Sequence, residues 1–371
     1  MYEYTGNGQS IPNNVTHVRF HPSVVKVDRE AFRGCTKLRE LILNDGLREI
    51  AFRAFDYCIA LQSINIPSTV IEIGDDAFYG CISLTEFVLN VGLHTIGKNA
   101  FATCKALQRI TIPSTVKEIS HSAFSGCIGL REVVLNEGLK KINKSAFQFC
   151  SSLESIIIPS TVTEIESEAY AYCDNLRHVV LNCGIKRIKT YAFQDCTSLE
   201  RITIPSTVIE IDNWAFSRCS NLREVVLHNE GVQIGDDAFT NCTSLERFKF
   251  PSLCTRLDNV IRAGQTDMEA KMDDIQAVEW RDGELIIPAV RRVIDMYGIM
   301  DTVVELNKEK LAKVEELISY YEIKEATTLF ELALWKARID QADEEDANNI
   351  NRDACRIEVP GPVKDAILQY L

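Results

Sequence analysis

The chain has 371 residues, 46% of them hydrophobic and 25% charged, with a formal net charge of -13, a balance that excludes a low-complexity disordered chain and leaves material for a large core. No apolar run approaches the roughly 20 residues of a membrane-spanning helix. The acidic excess lies late, since residues 254–371 hold 15 Lys and Arg against 25 Asp and Glu, and neither part shows the basic stripe of a nucleic-acid platform.

At the start of the chain, residues 1–10 are polar and lack the basic and apolar regions of a secretory signal, so the expected location is the cytoplasm. Residues 11–33 hold a partial unit in which Val15, Val18, Phe20, Val24 and Val27 take the apolar positions. The segment 1–33 is therefore expected to be an N-terminal cap.

From residue 34 to 253 one unit repeats. Cys35, Cys58, Cys81, Cys104, Cys127, Cys150, Cys173, Cys196, Cys219 and Cys242 stand at a strict interval of 23 residues. Three residues before each is an aromatic, preceded by Ala. Three residues after it is Leu, followed by a short aliphatic-x-aliphatic stretch and, farther on, an Ile. No single unit buries those side chains alone, so neighbours must stack above and below. The period falls within the roughly 20 to 29 residues of a leucine-rich repeat.

A second period has twice that length. After the short strand, alternate coils read Asn-x-Gly-Leu, as at Asn44, Asn90 and Asn136, or Pro-Ser-Thr-Val, as at Pro67, Pro113, Pro159 and Pro205. Gly is expected to supply a positive φ in the first turn, and Pro to stop the strand in the second. The alternation suggests growth by duplication of a two-coil block.

Beyond residue 253 the period gives way to helical spacing. The apolar positions from Leu257 to Ile275 predict one or two amphipathic helices, those from Leu311 to Tyr321 another, and those from Leu329 to Ile339 a last. Residues 280–288 read as a short strand with an Asp-Gly turn. The expected organisation is a mainly helical cap or subdomain over 254–340, then an acidic linker and tail over 341–371. Two roles are open for this region, a cover for the end of the stack or an acidic docking module.

The unit A-F-x-x-C-x-x-L-x-x-(I/V)-x-(L/I)-P-S-T-V-x-x-I, as in Ala192 to Ile211, closely resembles the BspA-type leucine-rich repeat over roughly residues 11–253. Residues 320–340 are similar to a tail that accompanies such repeats in uncharacterised eukaryotic members. The resemblance implies an α/β-type repeat, a right-handed leucine-rich-repeat solenoid of about ten 23-residue coils with a parallel β-sheet face. It also implies a surface-antigen or adhesin role as one option, which the absence of an export signal in the sequence opposes.

Candidate sites follow from the columns that stacking creates. Adjacent cysteines one strand spacing apart fall within disulfide reach, but parallel side chains would strain every such bond, and no Cys-x-x-Cys or His pair suits a metal. Each is expected to be a small buried hydrophobe in a tight bend. Cys183, Cys254 and Cys355 stand outside the column, and Cys183 is expected to be exposed. Four residues after the cysteine, Arg131, Glu154, Arg177, Glu200, Arg223 and Glu246 alternate in sign and are expected to pair as a ladder fixing register. Seven residues after it, Ile42, Val88, Val134, Ile157, Val180 and Val226 belong to the outward strand column. That column has two readings, strand propensity alone or a partner-binding stripe. No catalytic constellation, phosphate loop or cofactor motif occurs. The expected function is non-catalytic binding of a protein partner; a surface antigen is the alternative, and an enzyme using the C-terminal region a remote third.

Overall fold

The computed structural model describes residues 1–6, 8–229, 231–252, 256, 308–309, 311–320 and 322, together with four strands between 279 and 305. Each coil contributes two strands. A longer one of three or four residues, such as Arg109–Ile112, alternates exposed and buried positions. Its inward side chains are the aliphatic pair of the repeat, and its outward ones face solvent. A two-residue strand ending in the conserved-spacing Ile closes the next side, and ten of these, from Lys26–Val27 to Gln233–Ile234, form one continuous sheet. The neighbouring strands are parallel and in register at the repeat interval, as in Glu164↔Arg187 and Ile165↔Ile188.

No helix forms within a coil. The third side consists of turns, because two positions per coil adopt left-handed backbone, for example Arg53 (φ 54°) and Tyr57 (φ 57°), and Ser145 (φ 57°) and Phe149 (φ 61°). Such residues interrupt any helical run. The turns are nevertheless tied along the stack: from Phe32 to Phe216 the N–H of the column aromatic donates to the Ala carbonyl one coil ahead, as from Phe55 to Ala77 at 2.8 Å and from Tyr170 to Ala192 at 2.8 Å.

The aromatic column forms the spine of the core. From Phe32 to Phe239 successive rings stack with centroids 5.1–5.4 Å apart and planes within 14°. Burying one such ring contributes roughly 1.5–3 kcal/mol, and each ring needs the coils on both sides to do so. Stacking is thus what stabilises every unit.

Both ends of the stack are covered. At the start, Tyr2–Tyr4 adds a parallel strand beside His17–Phe20. Tyr4 is fully buried, packs on Phe20 and Phe32 at 4.9 and 5.1 Å, and its hydroxyl donates to Asp28 Oδ2 at 2.9 Å. At the other end Glu284–Pro288 pairs antiparallel with Arg247–Lys249 and with Glu279–Arg281, so a hairpin occupies the last strand edge. A helix over 311–320 puts Leu311, Val314 and Ile318 into the core, and Lys308 Nζ donates to the Ile234 carbonyl at 3.2 Å.

The helix expected from 311 is present, and the short strand expected over 280–288 is two strands, Glu279–Arg281 and Glu284–Pro288, paired antiparallel. Val290–Met296 and Ile299–Glu305 form a second antiparallel pair, which the sequence reading did not predict. The helices expected over 257–275 and 329–339, and the tail over 341–371, lie outside the described residues.

Candidate functional site

The cysteine column is buried along its whole length, from Cys35 to Cys242, and each of these cysteines is free. Beyond filling space, nine of the thiols make a hydrogen bond. Cys58 Sγ donates to the Phe32 carbonyl at 3.1 Å, and the pattern repeats at a separation of 26 residues through Cys127 to Phe101 (3.1 Å) and Cys242 to Phe216 (3.0 Å). That carbonyl also accepts the N–H of the cysteine in its own coil, as Phe32 does from Cys35 at 3.0 Å. The thiol therefore links the tight turn of one coil to the next. Burial pushes the thiols from Cys58 to Cys219 up, that of Cys127 to about 12, against the lowering effect of a backbone hydrogen bond. They are poor nucleophiles.

The two turn chemistries act on each other. In the Asn coils the side-chain amide donates to the carbonyl before Pro in the preceding coil: Asn136 to Ile112 at 2.9 Å, Asn182 to Ile158 at 2.9 Å, and likewise Asn90 to Ile66. In the Pro coils the Thr hydroxyl donates back to the Asn coil before it: Thr69 to Leu47 at 2.6 Å, Thr161 to Leu139 at 2.6 Å, Thr207 to Ile185 at 2.7 Å. Both turns follow one path, closed by Leu93 N–H to Asn90 O and Val116 N–H to Pro113 O at 3.0 and 3.1 Å. Positive φ is not the reason for Gly here, since of the Asn-x-Gly glycines Gly138 alone adopts it. The reason is close approach: a Cβ on Gly138 would lie 2.9 Å from the Ser114 carbonyl oxygen, and one on Gly184 would overlap that of Ser160.

The strand face carries the charge and apolar columns. The expected pairing of Arg131, Glu154, Arg177, Glu200, Arg223 and Glu246 is absent: among the described residues none of these six side chains enters an ion pair. They stand in the turn just before the strand, where their N–H groups bond to the preceding coil, as Arg177 to the Glu154 carbonyl at 2.9 Å, and their side chains project outward. Pairing occurs one residue farther on, with Arg109–Glu132 at 2.8 Å and Arg201–Glu224 at 3.2 Å. Strand pleating there puts neighbours side by side.

Five of the six outward apolar residues are exposed, at 37% for Ile42, 59% for Val88, 37% for Val134, 61% for Ile157 and 46% for Val180. Val226 is buried, which corrects its assignment to the exposed stripe. Lys249 stands beside it in register, and the Lys249 ammonium reaches Glu224 Oε2 at 3.2 Å, two residues back along the strand of Val226. The aliphatic stem thus lies along that strand. Burial raises the pKa of Glu224, but hydrogen bonds from Arg247 and Lys249 and the charge of Arg201 outweigh it and hold the carboxyl below its ordinary range. Toward the other end, an open depression of about 730 Å³ is lined by Glu86, Val88, Arg109, Thr111, Arg131 and Glu154, among others.

A family model, the BspA type leucine rich repeat region, matches residues 11–131 and 140–265 in six copies, more than half of the chain. The chain belongs to this family. Among solved structures, a leucine-rich repeat protein from Bacteroides ovatus is 26% identical, with 63% of this chain and 78% of that one covered and a TM-score of 0.39. The leucine rich repeat protein of T. pallidum is 37% identical over 37% of this chain and 64% of its own, with a TM-score of 0.36. A leucine rich cell surface protein from Faecalibacterium prausnitzii is 24% identical, covering 64% and 79%, with a TM-score of 0.40. No curated protein matches the chain.

In this BspA-type solenoid the remaining candidates stay apart. Cys183 is exposed, as its turn position predicts. Cys254 and Cys355 lie outside the described residues. Among the described residues no group of His, Cys, Asp and Glu could hold a metal ion, and no helix is long and apolar enough to cross a membrane. What sequence reasoning missed is relational: the thiol-to-carbonyl bonds and the Asn and Thr caps join residues 22 to 26 apart, and only their recurrence in every second or every coil hinted at them.

Proposed function

We propose that the protein is a non-catalytic scaffold that binds a protein partner on the strand face of the solenoid. The observation that carries this reading is the run Val134, Ile157 and Val180, exposed in three successive coils. Ile157 and Val180 stand side by side in the parallel pair Ser155–Ile158 and His178–Leu181, and Val134 lies on the strand of the coil before them; a contiguous exposed apolar patch is the usual mark of an interaction surface. Free charges at Arg131, Glu154 and Arg177 border the patch on one side, giving an apolar centre with a polar rim.

The triple variant Val134→Lys, Ile157→Lys and Val180→Lys tests the proposal. It is expected to keep the circular dichroism and thermal midpoint of the parent while losing the partners that proximity labelling finds with the unaltered chain. An unchanged set of labelled partners overturns the assignment. A surface antigen or adhesin is the second reading, supported by the family resemblance, and fractionation of cells expressing a tagged chain separates it from an internal scaffold.

A further inference from the structure

We infer that the protein forms a two-fold antiparallel dimer through the charge column Arg131, Glu154, Arg177, Glu200, Arg223 and Glu246. The proposal begins with a contrast between adjacent columns. One residue farther along, the charged side chains satisfy each other within the chain, as Arg109 with Glu132 and Arg201 with Glu224. The six residues of the outer column do not, although they alternate in sign at every coil. All six are exposed. Successive coils lie 5.1–5.4 Å apart at the aromatic spine, so the outer column presents an alternating row of unneutralised charge on a rigid frame.

Such a row is complementary to itself in one arrangement. Placed antiparallel against a second copy, with the two-fold axis between the coils of Arg177 and Glu200, Arg131 meets Glu246, Glu154 meets Arg223 and Arg177 meets Glu200, and each pair recurs by symmetry. All six charges then face opposite charges. Sliding one copy by a single coil sets like against like along the whole row. Laying the copies parallel in register does the same, and a parallel arrangement displaced by one coil leaves open ends that do not close. The row is finite, since in the three coils before it the equivalent positions are Gln62, Thr85 and Gln108, which separate it from Arg39 of the first coil, so the register is fixed. Beside it, Ser152, Asn175, Ser198, Asn221 and Ser244 are small and polar, which lets the two rows approach. Asp174 also lies on this side, and the symmetry sets it opposite Thr197 of the second copy rather than another carboxylate.

The contact depends on exposed ion pairs, so salt should weaken it. Sedimentation velocity of the full chain at low ionic strength is expected to show a concentration-dependent dimer, with association at least about tenfold weaker at high salt. Arg177→Glu and Glu200→Arg are each expected to be monomeric with unchanged circular dichroism, because each sets two like pairs across the axis. An equimolar mixture of the two variants is expected to dimerise, since Glu at 177 of one chain then meets Arg at 200 of the other and the remaining Arg177 and Glu200 also pair. A wild-type chain that stays monomeric at low salt, single variants that remain dimeric, or a mixture that stays monomeric overturns the proposal. The apolar stripe lies three residues farther along each strand, so the triple lysine variant is expected to leave the dimer intact, and the two proposals fail separately.

Discussion

Tyr170 interrupts a column otherwise made of Phe, and its hydroxyl is buried without a hydrogen-bond partner among the described residues. Its ring stacks on Phe147 and Phe193 at 5.3 and 5.4 Å, as a Phe would. Leaving a hydroxyl unsatisfied in the core costs about 1–3 kcal/mol, so Tyr170→Phe is expected to raise the urea and thermal midpoints. An unchanged or lower midpoint would show that the hydroxyl has a partner, such as a buried water. The thiols make a second prediction at this scale. Burial raises those of Cys35, Cys58, Cys81, Cys104, Cys127, Cys150, Cys173, Cys196 and Cys219. The unfolded chain then releases thiol protons first, from about pH 8.5 upward, and binds fewer protons than the folded one. Stability is therefore fully present below that pH and falls as pH climbs toward the folded value, about 12 for Cys127, with a slope of up to about 1.4 kcal/mol per pH unit for each such thiol. Urea midpoints between pH 7 and 10.5 measure it. At neutral pH a thiol reagent is expected to reach Cys183 in the folded protein and the column only after unfolding.

The two-coil block is the structural element of this chain. Its alternation was legible in the sequence, but as a difference between two turns, whereas the structure shows two halves of one joint. Each Asn amide and each Thr hydroxyl satisfies a carbonyl that belongs to the other turn type. The long strands follow the same rhythm: Ser63–Asn65 with Glu86–Val88, Arg109–Ile112 with Glu132–Leu135 and Ser155–Ile158 with His178–Leu181 pair as couples. Glycine in the Asn turn makes room for the Ser carbonyl of the turn before it. Gly184→Ala is thus expected to lower the thermal midpoint far more than Gly46→Ala, whose added methyl would meet nothing nearer than the Asn44 amide at 3.3 Å and the Pro22 oxygen at 3.5 Å. Equal losses would mean that glycine serves chain flexibility instead. Asn136→Ala removes one cap and leaves the Ile112 carbonyl short of a donor, at a cost of about 1–3 kcal/mol.

At the scale of the molecule, a stack is as stable as its ends allow. Tyr4 and its hydroxyl contact to Asp28 finish the aromatic spine on one side. Phe248 and Phe250 lie at the other, fully buried with Ile287 and the helix residues Val314 and Ile318 in the same core. A chain ending at residue 253 is expected to bind a hydrophobic dye and to unfold at a lower temperature than the full chain, because terminal coils without a polar cover expose core side chains. If the shortened chain matches the full one in both measurements, the C-terminal region is no cap, and a docking role for it gains ground.

By itself the sequence determined the period, the inward columns, the burial of the cysteines and hence the solenoid, because each of these follows from which residue recurs at which interval. It placed strand structure over 280–288 and the helix from 311, where local patterning is strong. Only the tertiary structure decided which charges are neutralised, since Arg131 and Arg109 differ by their place before or within a strand and not by type. It likewise decided that Val226 is covered, along with the rest of its strand Glu224–Leu227. Contacts between coils, and the path of a long side chain across them, are set by three-dimensional distance, which a column of letters does not contain.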